Sequence, residues 1–105
     1  MKKFHLAVIL MGSALLLAGP ALAGKSSVEY GKKLFNDPQL GGSTTAESCN
    51  DCHLDGKGLE KAGSNPKLSA VINRCITGPL KGEKIDGRSV EMRSLKMYIE
   101  SLGGE

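Results

Sequence analysis

Cys49-Asn50-Asp51-Cys52-His53 brings two thiols and an imidazole together at a spacing that can do redox chemistry. The pattern is C-x-x-C-H, through which a protein attaches haem covalently. The two thiols add across the haem vinyl groups, and His53 then lies beside the porphyrin and ligates iron from one face. A zinc site would need a second Cys/His pair, and a dithiol redox site would need a βαβ setting. The sequence offers neither. One covalent haem c is the expected cofactor, with Cys49 and Cys52 as its thioether residues and His53 as the proximal iron ligand.

The residue on the far side of iron separates an electron carrier from a haem that binds something else. His5 falls in a segment read below as cleaved, so Cys75, Met92 and Met97 are the soft candidates. A Lys or backbone-amine ligand is the outside choice. Cys75 is the odd cysteine once Cys49 and Cys52 are taken by haem, and a leftover thiol in an oxidising compartment is paired between chains, buried or metal-bound. Met92 sits on the apolar face of a helix, where a methionine commonly fills core gaps. Met97 points to the other side of that helix. The residues alone leave Cys75 and Met92 level, with an open or solvent-bound iron as a further alternative.

Three helices are expected to position these groups, with no strand. Ser26 and Glu29 form a capping-box pattern before a helix over 27–36, which Asp37-Pro38 ends. Residues 39–45 read as a Gly/Ser/Thr loop into the haem motif, and 54–66 as a second loop. A helix over 67–76 places Leu68, Val71, Ile72 and Cys75 on one inward face, and Thr77-Gly78-Pro79 stops it. After a charged, Gly-rich loop over 80–88, Ser89 caps a last helix over 90–102. Its apolar face is Met92, Leu95, Tyr98, Ile99 and Leu102. The expected fold is all-α, three to four short helices around one haem.

The N-terminus reads as a signal peptide. Lys2 and Lys3 form a basic n-region, 6–17 is a short apolar run, and Ala21-Leu22-Ala23 is a cleavage site before Gly24. The apolar run falls short of the about 20 residues a membrane helix needs. A periplasmic domain over 24–105 is the expectation, with no stable membrane insertion after cleavage. The formal charge of +3 then drops to +1, because Lys2 and Lys3 depart and leave 12 basic against 11 acidic residues. No basic stripe marks a nucleic-acid partner. The carboxylates of Asp51, Asp55 and Asp86 read as solvated loop or turn groups. A domain this short needs a staple. Haem is that staple, and the apoprotein is expected to be largely unfolded.

Tyr30-Gly31-Lys32-Lys33-Leu34-Phe35 resembles the first helix of class I c-type cytochromes, and Met97-Tyr98-Ile99 their last. More narrowly, Ile72-Asn73-Arg74-Cys75, then Gly82, then Ser89-Val90-Glu91-Met92 through Leu95 and Tyr98 resembles the haem domains of the SoxA subunit and of thiosulfate dehydrogenase. That resemblance implies Cys75 as the sixth iron ligand, with Met92 as the alternative.

The function expected on these grounds is a single-haem electron carrier rather than an enzyme. It would pass one electron between redox partners by Fe(III)/Fe(II) cycling, another cytochrome or a sulfur-oxidising enzyme being the partner in view. A sulfur-oxidation cytochrome subunit with Cys-ligated haem is the first alternative, and a ligand-binding haem sensor the second.

Overall fold

The computed structural model describes residues 24–104, so the signal-peptide reading of 1–23 lies outside the described residues. Within them the regular structure is entirely helical: four α-helices and three short 3-10 turns. Helix α1 runs Val28–Phe35. Ser27 caps it from an extended backbone, its hydroxyl accepting from the Tyr30 N–H at 3.0 Å. The cap is therefore one residue later than the capping-box pattern suggested. Glu29 in the first turn and Lys32 and Lys33 in the last turn complement the helix dipole. The Asn36 amide donates back to the Lys32 carbonyl at 2.8 Å, and Pro38 follows.

Helix α2 is the single turn Cys49–Cys52. Helix α3 spans Leu68–Thr77 and helix α4 Val90–Ser101. Ser89 caps α4 by accepting from the Met92 N–H at 3.0 Å, as its position before the apolar periodicity implied. On α4 the residues Met92, Ser94, Leu95, Tyr98 and Ile99 are buried, while Met97 is half exposed.

Helices α1 and α4 form the base of the molecule, and small residues set how closely they meet. A Cβ at Gly31 would lie 2.6 Å from the Ser94 carbonyl carbon and 2.8 Å from the Tyr98 Cβ. Only a glycine admits that approach. Ser94, fully buried, accepts from the Ser27 N–H at 3.1 Å, and the Phe35 and Tyr98 rings pack with centroids 5.1 Å apart. Gly31→Ala must push the two backbones apart. It is expected to destabilise the folded protein by about 1–3 kcal/mol, seen as a lower urea midpoint. An unchanged midpoint would mean that the crossing has slack.

Helix α3 buries Leu68, Ile72 and Ile76, an i, i+4, i+8 row, against this base. Val71 and Cys75 lie one step round the helix. Cys75 is exposed and Leu68 and Ile72 are buried, yet all four residues of the expected inward face, Leu68, Val71, Ile72 and Cys75, line the same cavity. After α3 the chain turns at Gly78 and is pinned along 80–88. The Asn73 side chain donates to the Ile85 carbonyl at 2.9 Å and accepts from the Ile85 N–H at 2.8 Å. The Glu83 N–H donates to the Gly41 carbonyl at 2.8 Å. Among the described residues no helix is long and apolar enough to cross a membrane.

Candidate functional site

The C-x-x-C-H segment is held as a helical turn by the residues between and before its cysteines. Ser48 N–H donates to the Asp51 carboxylate at 2.7 Å and the Ser48 hydroxyl does so at 3.2 Å, while the Asp51 N–H returns to the Ser48 carbonyl. This is the reciprocal closure of a helix start. The Asn50 amide oxygen accepts from the Asp55 N–H at 2.8 Å. That bond supports a left-handed backbone at Asp55, φ 54°, in the turn after His53. The two intervening residues thus shape the segment, a role their polar character alone did not disclose.

Cys49, Cys52 and His53 face one apolar cavity of about 110 Å³ that opens to solvent. Phe35 comes to it from α1 and Leu95 and Ile99 from α4. Val71 and Cys75 come from α3, and Pro79 and Leu80 from the turn beyond. The sequence-derived candidates therefore separate cleanly. Cys75 shares the cavity with the C-x-x-C-H residues. Met92 is fully buried in the packing of the base and does not line the cavity, and neither does Met97. Burial pushes the Cys49 thiol up to about 11, the nearby Cys75 sulfur adding to the rise. At neutral pH Cys49 is accordingly a protonated thiol.

His53 has one committed ring nitrogen. Its Nδ1 lies 3.1 Å from the Lys57 carbonyl oxygen. A carbonyl can only accept, so Nδ1 carries the proton and Nε2 is left with a free lone pair for a metal. Lys57 is brought there by successive turns: Gly56 N–H to the His53 carbonyl at 2.7 Å, and Lys57 N–H to the Leu54 carbonyl at 3.0 Å. Gly56, at φ 81°, lets Leu102 close over this turn, a Cβ there falling 2.8 Å from a Leu102 methyl.

The donor set fits an apolar macrocycle with a central metal better than a bare ion. Two thiols and an imidazole border a wide apolar space. Among the described residues no three His, Cys, Asp or Glu side chains gather closely enough to hold an ion between them. Phe35, Leu68, Ile72, Leu80 and Leu95 belong to the core and line the cavity as well.

The described residues form an all-α fold with a C-x-x-C-H turn on the wall of an apolar cavity. Residues 25–92 match the family described as di-haem cytochrome c peroxidase, and the chain belongs to that family. No curated protein and no solved structure matches the chain. The membership places the chain among cytochrome-c-related, redox-associated proteins, more broadly than the narrower likeness to the SoxA and thiosulfate dehydrogenase domains. It also corrects one expectation. The sequence reading preferred a carrier to an enzyme, whereas the matched domain is that of a catalytic peroxidase.

Proposed function

We propose that the chain is a periplasmic c-type haem domain that delivers single electrons within an enzymatic, peroxide-reducing reaction. The observation behind this reading is that Cys49, Cys52, His53 and Cys75 share one apolar cavity in a member of the di-haem cytochrome c peroxidase family. Cys49 and Cys52 would hold haem c by two thioethers, and His53 Nε2 and Cys75 would be the protein ligands to its iron. Bound there, the haem supplies a reversible one-electron Fe(III)/Fe(II) couple.

The chain's own residues do the rest. Lys57 fixes the His53 ring and its tautomer through the Nδ1 bond. Phe35, Leu95 and Ile99 keep water from the inner wall, and the open mouth beside the exposed Cys52 and Cys75 is the side a redox partner reaches. Reducing one hydrogen peroxide to two waters consumes two electrons and two protons. A domain with one C-x-x-C-H gives one electron at a time, so its partner in this reading is a second haem-bearing domain.

Stopped-flow mixing of the ferrous, haem-loaded chain with hydrogen peroxide tests the proposal. Oxidation of the ferrous bands, sustained when a reduced second cytochrome is present, is the expected result. Ferrous protein indifferent to peroxide under both conditions would overturn it. Cys75 on the cavity wall also supports the sulfur reading, which reverses the electron flow. There, thiosulfate would reduce the ferric protein and peroxide would leave the ferrous form untouched.

A further inference from the structure

One peptide group of the 57–60 turn is hydrogen-bonded at both ends. Its carbonyl, that of Lys57, accepts from His53 Nδ1 at 3.1 Å. Its N–H, that of Gly58, donates to both carboxylate oxygens of Glu60, at 3.1 and 3.2 Å. Gly58 sits at φ 92°, a left-handed conformation that suits glycine and orients this peptide between the two groups. The Glu60 carboxyl lies below the usual range, lowered by hydrogen bonds from its own backbone N–H and from that of Gly58.

A peptide is a conjugated unit. An anion on its N–H draws electron density toward the carbonyl oxygen and makes that oxygen a stronger acceptor, the cooperative behaviour of linked hydrogen bonds. A stronger acceptor at Lys57 pulls the Nδ1 proton further from the ring and makes Nε2 a more basic donor. Such outer hydrogen bonds are a recognised lever on a bound metal.

We infer that Glu60 is a positioning residue that tunes His53 through the Lys57–Gly58 peptide, making the imidazole a stronger electron donor and holding the iron toward its ferric state. The inference rests on the haem reading of His53 given above. Glu60 reaches neither the cavity nor the ring, and its hydrogen-bonded route to His53 runs through this peptide.

The test compares Glu60→Gln and Asp55→Asn in the haem-loaded protein. Each removes one negative charge near His53, but only Glu60 touches the relay peptide. Two quantities are read: the His53 Hδ1 proton resonance in the ferrous protein and the reduction potential. In Glu60→Gln the Hδ1 resonance is expected to move upfield as its bond weakens. The ferric-to-ferrous ratio at fixed poise should fall about threefold, about 28 mV at 59 mV per tenfold for one electron. In Asp55→Asn the Hδ1 resonance stays in place and the potential moves less. An unmoved Hδ1 in Glu60→Gln, or equal potential shifts in the two variants, overturns the relay while leaving the haem assignment intact. A wild-type chain that takes up no haem overturns that assignment and the relay with it.

Discussion

Replacing both attachment cysteines, Cys49→Ala with Cys52→Ala, is expected to leave a chain from which acidified organic solvent extracts every trace of haem. The far-ultraviolet helical signal should fall to less than half that of the wild type. The reason lies in the core. Phe35, Leu68, Ile72, Leu80, Leu95 and Ile99 belong to the core and also wall the cavity, so an unfilled cavity removes neighbours from six of the eleven buried apolar residues. Net stabilities of small domains are only about 5–15 kcal/mol, and a group that binds the folded chain alone shifts that balance directly. Circular dichroism across a thermal ramp, with and without covalent haem, makes the comparison. A double variant as helical and cooperative as the wild type would show that the helices stand without the cofactor.

Cys75→Ala and Met92→Ala should behave in opposite ways, because the structure puts their sulfur atoms in different places. Cys75 is on the cavity wall, and Met92 is fully buried within the base. A thiolate stabilises ferric iron, so Cys75→Ala is expected to abolish the low-spin thiolate signal in electron paramagnetic resonance. It should also raise the potential by on the order of 100 mV, close to fiftyfold in the ferric-to-ferrous ratio at 59 mV per tenfold. Its effect on stability should be small beside that of Met92→Ala. The latter leaves a cavity in the packed base and is expected to cost about 2–5 kcal/mol with the ferric spectrum unchanged. A methionine–iron charge-transfer band lost in Met92→Ala would reverse the assignment and require α4 to turn by several tens of degrees.

The parts of this fold legible in sequence are those governed by short-range rules. Ser89 before an apolar 3.6-residue period, Gly78-Pro79 after another, and Asp37-Pro38 closing the first each mark an end that the structure places within a residue or two. The C-x-x-C-H spacing pointed to a cytochrome-related protein, and the family match agrees at that level. Other features depended on partners far along the chain. Cys75 and Leu68 share a helical face by periodicity and both line the cavity, yet Leu68 is buried and Cys75 exposed. The difference is made by where α1 and α4 lie, and those are fixed by Gly31 meeting Ser94. Val71 and Cys75 face a space that their own helix does not define.

The polar residues show the same division. Asp51 read as a solvated loop or turn group, but it closes the α2 turn, and the neighbouring Asn50 supports the turn that follows. An S-x-x-D reading over Ser48 and Asp51 was the available signal for the first. For Glu60 there was none, because its relevance comes from a shared peptide with His53, seven residues upstream. Function was legible to the level of a cytochrome-c-related, redox-associated protein. Whether that chemistry serves a carrier or an enzyme was not, since both use the same attachment residues; the family match at 25–92 supplied the correction.

Covalent attachment of one haem at Cys49 and Cys52 is read out by the intact mass of the chain, produced in a bacterium with a c-type haem attachment pathway and unfolded in acid before analysis. The expected mass is that of the chain from Gly24 onward plus one haem, with the haem absorption travelling with the denatured polypeptide. A bare polypeptide mass, with haem absent or released on unfolding, would contradict it.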